Sequence, residues 1–366
     1  MSTTDTEPDA PAAPTASMKS GSKRYGDSLF SGLSVGSGLL IFLTLAAVAI
    51  FLTSESMPAI TESREFAGAD AEFSLIEESL PLVFGTILAA TIALLIAVPI
   101  SLGIALFISH FAPRRMASGL GYMIDLLAAV PSVVYGLWGG IWLVPRLDPL
   151  YQFLHNTFGG GNENSIFNFL RWPENFFLDN ITWPQSFPLY DWAGTPVFGW
   201  GGEPIIGLFA GDPTSPMRNM ASAGVVLAVM ILPIITSVSR EIFLQTPRLQ
   251  EEAALALGAT RWETIRTVVL PFGRSGVVAA SMLGLGRALG ETMAVLMILS
   301  PGATFSFHIL QVGLHQSIAA NIAAKQAEAS GVDMSLLIFT GLVLFVLTFI
   351  INAIARWIVA RSGVKS

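Results

Sequence analysis

Long apolar runs, rather than alternating or amphipathic patterns, organise this chain. Six of them approach or exceed the roughly 20 residues needed to cross a bilayer: about 32–53, 82–109, 119–145, 220–243, 272–300 and 335–360. The longer runs predict tilted helices or helices that continue beyond the hydrocarbon layer. Pro99, Pro131 and Pro233 fall inside runs. Each removes a backbone donor and predicts a kink in its helix. The pattern therefore predicts an all-α integral membrane protein with six transmembrane helices.

Positive charge orients these spans. With the amino terminus placed in the cytoplasm, the inner segments hold thirteen Lys and Arg residues, among them Lys23, Arg114, Arg115, Arg240, Arg248, Arg261, Arg266, Arg274 and Arg356. The outer segments hold five: Arg64, Arg146, Arg171, Arg218 and Lys325. Both termini are thus expected on the cytoplasmic side. The outer segment 146–218 is too long for a plain connection, and it carries Trp172, Trp183, Trp192 and Trp200. Two readings stand for it: interfacial helices with aromatics at headgroup level, or a docking surface for an extracytoplasmic partner.

Composition agrees with the pattern. Charged residues make up 12% of the chain and mean hydropathy is +0.64, against about 25% charged in soluble domains. The absence of cysteine excludes disulfides, thiolate metal sites and a thiol nucleophile. His110, His155, His308 and His315 are dispersed without metal-ligand spacing, so no metal site and no cofactor is expected. Residues 1–30 are rich in Pro, Ala, Ser and Thr and read as a disordered tail rather than a signal peptide. The expected organisation is this tail, a first span with a short outer segment over 31–81, and a transmembrane domain over 82–366.

Between the fourth and fifth spans lies LQTPRLQEEAALALGATRWETIRTVVLP, residues 244–271. Thr246 is placed to cap a helix with Pro247 in its first position. That helix is expected over Arg248–Leu257, and Gly258 supplies the left-handed residue that ends it. Thr260 and Glu263 form a T-x-x-E capping box for a second helix. The result is a sharply bent, well-capped knob. Glu252, Ala253, Ala254 and Gly258, followed by Leu270 and Pro271, resemble the EAA loop of permeases in bacterial ABC importers. Val268 stands where that family usually has Ile. The resemblance implies a cytoplasmic coupling helix that docks on a separate ATPase, and a type I ABC importer permease fold. The chain has no G-x-x-x-x-G-K-[ST] phosphate cradle of its own, so it is expected to be a transport subunit rather than an enzyme.

The fifth run carries Arg287 and Glu291 within GLGRALGETMAV. On one continuous helix they share a face and can pair. Arg287 would lie on the order of 24 Å along the axis from Pro271, near mid-membrane. A charge there costs at least roughly 2.5–3.5 kcal/mol and must face a cavity or the bundle interior. The pair is either a neutralising intrahelical salt bridge, or an arginine that attracts a transiting anion with a glutamate that keeps the attraction weak enough for release. Gly286 and Gly290 would let another helix pack closely. Asp125 is a further charge inside the third run, paired with Arg287 or capping its own helix. Ser132, Tyr135 and Thr292 could add hydroxyls.

GLGRALGETMAV and DLLAAVPSVVYGLWG look like the PstC-type permease of the phosphate ABC transporter, over roughly residues 80–360 apart from the enlarged 146–218 segment. That likeness implies import of inorganic phosphate, with Arg287 and Glu291 in the transport path. It also implies a PstA-like permease as heterodimer partner, two PstB-like ATPase subunits and a PstS-like phosphate-binding protein. Competing readings are a permease for sulfate or molybdate, a phosphate-signalling membrane scaffold, and an ion-coupled secondary transporter.

Overall fold

A computed structural model describes residues 25–66, 75–158, 199–200, 203–204, 209 and 214–362. These segments are mostly helical, with a long non-helical stretch over 299–317 and a two-residue antiparallel pair, β1 (Gly199–Trp200) with β2 (Glu203–Pro204). Trp172, Trp183 and Trp192 lie outside the described residues, as do residues 1–24 of the expected tail.

The first helix, α1, runs Tyr25–Phe66, so residues 25–30 are helical. Up to Phe51 it belongs to a unit of its own, and its described side chains there are exposed or half-exposed. The second unit, from Leu52 onward, holds α2 (Leu75–Leu106), α3 (Arg114–Ala128), α4 (Ser132–Trp138), α5 (Val144–Phe158), α6 (Met220–Leu244), α7 (Arg248–Ala256), α8 (Arg261–Thr264), α9 (Leu270–Leu289), α10 (Met293–Ile298), α11 (Ile318–Lys325) and α12 (Val332–Ser362). Short π-helical segments follow α2 (Phe107–Phe111), α4 (Gly139–Leu143) and α8 (Ile265–Val269).

Among the described residues, five helices are long and apolar enough to cross a membrane, and a sixth crossing results if the bent pair Arg114–Ala128 and Ser132–Thr157 counts as one span. The expectation of six spans therefore holds only with that pair counted once. The run 119–145 is not one straight helix: its two parts meet at 92°. Pro131 lies at the bend, where it lacks an N–H and pushes Val130 out of the helical region. Pro99 and Pro233 lie inside continuous helices.

The core is built around α6. Asn219 caps its start, its side chain accepting from the Ser222 N–H at 3.0 Å. Val226, Leu227, Met230, Ile231 and Ile235 are fully buried within the helix, the mark of a helix surrounded by others. On one side α2 offers Ala89, Ala90, Ala93 and Ala97, all buried, so the two helices approach closely. On another, α9 places Gly273 against Phe243 and Gly284 against Ile235. Large apolar side chains such as Leu95, Ile100, Phe349 and Ile354 remain exposed. That distribution is the one a lipid-facing surface requires, since lipid is as apolar as the side chains it meets.

Candidate functional site

Two interrupted spans meet in the second unit. In the first, α3 ends at Ala128 and α4 starts at Ser132. The Tyr135 hydroxyl donates back across the bend to the Leu127 carbonyl at 2.9 Å, so a polar group freed at the break is satisfied inside the protein, as membrane depth demands. In the second, α9 ends at Leu289, Gly290 forms its C-cap, and the helix restarts at Met293. The expected single helix over 272–300 is therefore broken, which corrects the geometry assigned to Arg287 and Glu291. They occupy different elements rather than one face of one helix.

The reason for the break lies in Glu291 itself. Its carboxylate accepts from the Ala294 N–H at 3.0 Å and is 8% exposed. It thus serves the amino-terminal end of α10, where unsatisfied N–H groups and the helix dipole both favour negative charge. Arg287 sits in the last turn of α9, where the dipole favours a cation. It forms no ion pair among the described residues, so of the two readings of the pair the neutralising intrahelical salt bridge is not seen there. The two breaks are brought together where Gly136 of α4 meets Ala294 of α10.

The short helices after the breaks pack on one another. A methyl group at Gly136 would meet the Ala294 Cα at 2.8 Å, and one at Gly140 would meet the Met297 carbonyl at 3.3 Å. The far end of α10 is held by Arg218, whose Nε donates to the Ile298 carbonyl at 3.2 Å and whose Nη2 donates to Met297. An acid at one end and a guanidinium at the other match both poles of α10. Arg218 escaped the sequence reading, which counted it only as an outer charge. Its one signal was its place directly before the Asn219 cap.

The other expected site residues are dispersed around this centre. Ser132 opens α4. Thr292 is the N-cap residue of α10 but donates to the Gly290 carbonyl at 3.3 Å instead of capping. Asp125 neither pairs with Arg287 nor caps its helix: it accepts from Ser237 on α6 at 2.7 Å. Gly286 and Gly290 are exposed, and nothing but the Gly286 carbonyl comes within 4 Å of a methyl group at either. Among the described residues no helix packs closely on them.

At one end of the bundle stands the knob. Gly258 has φ +90°. Its N–H donates to the Leu255 carbonyl at 3.0 Å and the Ala259 N–H to that of Ala254 at 3.2 Å, the paired bonds of a left-handed helix stop. The Thr260–Glu263 capping box is complete, with the Thr260 N–H donating to Glu263 at 2.7 Å and the Glu263 N–H to Thr260 at 3.3 Å. Thr246 does not cap α7. The cap position is Pro247, and the Thr246 hydroxyl is buried without a partner. Helix α7 has no buried residue, and Glu252 and Ala253 are exposed.

A family model described as the binding-protein-dependent transport system inner membrane component matches residues 97–364, which takes in both breaks and the knob. The chain belongs to this permease family. It is a multi-pass membrane protein and a transport subunit, not an enzyme. Among its relatives, "Phosphate transport system permease protein PstC 2" of Mycobacterium tuberculosis is 40% identical over 341 residues, covering 91% of each chain. The protein named PstC of Mycobacterium leprae is 40% identical over 316 residues, 84% of this chain and 85% of that one. The PstC of Haemophilus influenzae is 34% identical over 354 residues, 95% and 97%.

Proposed function

We propose that this permease is one half of the translocation pathway of an ATP-driven importer of inorganic phosphate, and that Arg287 is its anion contact. The observation that carries this reading is the placement of Arg287. It is a permanent cation at the end of a broken span, and the nearby Glu291 is turned to α10 instead. Broken helices at membrane depth are where transporters build substrate sites, because backbone ends and side chains there can face a cavity. A planar guanidinium suits a tetrahedral oxyanion through paired N–H donors. The names and identities of the relatives support phosphate as that anion.

In this reading Glu291 positions α10 and sets a negative charge close to the pathway, so that binding stays weak enough for release. Ser132 and Thr292, at the two breaks, offer hydroxyls to the passing anion. Asp125 ties α3 to α6 at the pathway's flank. The partner permease is PstA-like and forms a heterodimer with this chain. A PstS-like binding protein delivers phosphate at the face opposite the knob.

The knob is the coupling element, docking one of two PstB-like ATPase subunits on the cytoplasmic side. The support is its surface: Leu249 is 81% and Leu257 90% exposed, and Trp262 is exposed too. Large apolar side chains on a bend rich in Arg and Glu call for a protein partner rather than lipid. ATP binding then closes the ATPase dimer, moves the knob and opens the bundle outward. Hydrolysis resets it.

The test is ATP-dependent uptake of labelled phosphate into proteoliposomes holding the complete complex, with sulfate and molybdate as competitors. Phosphate-selective uptake that Arg287→Gln abolishes, with the complex still assembled, is the expected result. Undiminished uptake in the variant would remove Arg287 from the pathway. Uptake suppressed by sulfate or molybdate would assign another oxyanion.

A further inference from the structure

Helix α7 is poorly held by its own surroundings. It buries no side chain, its cap position is a proline without a side-chain cap bond, and the neighbouring Thr246 hydroxyl is unpartnered. Pushed by a docked subunit, such a helix would pivot about Thr246–Pro247, and the push would be lost there. One side-chain link opposes this. The Nε2 of His110 stands 3.6 Å from the Glu251 carboxylate. His110 belongs to the π-helical turn that ends α2, and its Nδ1 is 2.7 Å from the Ser109 hydroxyl. That hydroxyl also donates to the Leu106 carbonyl at 3.3 Å. The ring is thus oriented by Ser109 through one nitrogen and faces the Glu251 carboxylate with the other. The imidazole and the carboxylate are both largely shielded, with side chains 14% and 26% exposed, so the link is less screened than a surface pair.

What lies behind the link is stiff. Ala105 of α2 shares a small buried cluster with Phe243 of α6 and with Ile265 and Val269 of the π segment after α8. From there α2 runs to the opposite end of the bundle. The Thr86 hydroxyl accepts from the Ile318 N–H at 3.0 Å, and Glu78 pairs with Lys325 at 3.8 Å. A displacement delivered to α2 at His110 is therefore carried to the segment around α11.

We propose that His110 is a positioning residue that locks the coupling helix to α2 through Glu251, so that movement of the knob is passed to α2 and from there to the opposite face. This rests on the coupling role assigned to the knob above. Glu251 acts inward, toward α2, while its neighbour Glu252 faces outward, giving adjacent glutamates different tasks.

The experiment measures phosphate moved per ATP hydrolysed by the complete complex in proteoliposomes. His110→Ala and Glu251→Gln are each expected to lower that ratio by about fivefold or more, the lower end of measured couplings between linked sites, with the ATPase still bound. The double variant should be no worse than either single one. His110→Lys, which sets a cation beside Glu251, should recover most of the ratio. A wild-type ratio in both single variants, or no recovery with lysine, would overturn the lock. Loss of bound ATPase from the single variants would also overturn it, by making the contact part of docking. Gly258→Val tests the underlying coupling role separately. If it keeps both bound ATPase and full uptake, the knob is not the coupling element, whatever the His110 variants do.

Discussion

At Gly136 a single hydrogen atom in place of a side chain sets the distance between the two short helices that follow the broken spans. The Ala294 Cα is a backbone atom and cannot rotate away from an added group 2.8 Å distant. Gly136→Val would push α4 off α10, an overpacking that costs about 1–3 kcal/mol and moves the end of α10 that Glu291 caps. The expected outcome is loss of phosphate uptake with the ATPase still copurifying. Gly103 lies on α2 with open space around it, and Gly103→Ala should leave uptake unchanged. Equal uptake in both variants would show that close contact between the two breaks is not needed for transport.

Among the elements, the bend between α7 and α8 shows what local chemistry can specify. Its stop at Gly258 and its Thr260–Glu263 box were legible because each depends on residues within one turn. Thr260→Ala removes the side-chain half of that box and should cost about 1 kcal/mol of local stability. Faster amide hydrogen exchange over 261–269 and weaker ATPase binding, in a complex that still assembles its spans, are the expected readouts. Unchanged exchange would mean that the π segment behind α8, buried through Ile265 and Val269, holds the bend by itself. The broken spans were less legible for the converse reason. Pro131 announces a disturbance, but the 92° turn depends on how α4 packs against α10. In GLGRALGETMAV the stop at Gly290 is only a weak local signal, since Gly284 and Gly286 lie within the same helix and glutamate is a good helix former. The break appears only when the Glu291 carboxylate takes the Ala294 N–H. Residue type could therefore single out Arg287, while its separation from Glu291 required the fold. His110 and Glu251 carried no sequence signal at all, being far apart in the chain and joined only by packing.

For the whole molecule, the number of crossings decides which face each segment meets, and it turns on whether the bent pair α3–α5 traverses the bilayer. The contacts at its two ends answer this. Helix α2 finishes beside the knob, where His110 meets Glu251. Helix α6 starts at the opposite end, where Arg218 and Asn219 bond to the segment after α9, through Ile298 and Leu310, and it finishes beside the knob at Leu244. Residues 112 and 219 thus stand at opposite ends, and the Ser215 hydroxyl donates to Asp148 of α5 at 2.7 Å, so the described contacts are those of a bent pair that makes one net crossing. With the amino terminus inside, the knob then lies on the cytoplasmic side, and the broken span of α9 and α10 sets the turn after α11 on the other. The absence of cysteine makes this directly measurable with single cysteines and a membrane-impermeant maleimide on intact cells. Glu328→Cys, at an exposed position after α11, should label from outside. Leu257→Cys, at the most exposed apolar position of the knob, should label only after the cells are opened. Labelling of both from outside would mean that the broken span of α9 and α10, which lies between the two positions in the chain, does not cross. Labelling of Leu257→Cys alone would make the bent pair a re-entrant hairpin or invert the orientation that the Lys and Arg bias indicates, and either would set the exposed knob facing the binding protein instead of the ATPase.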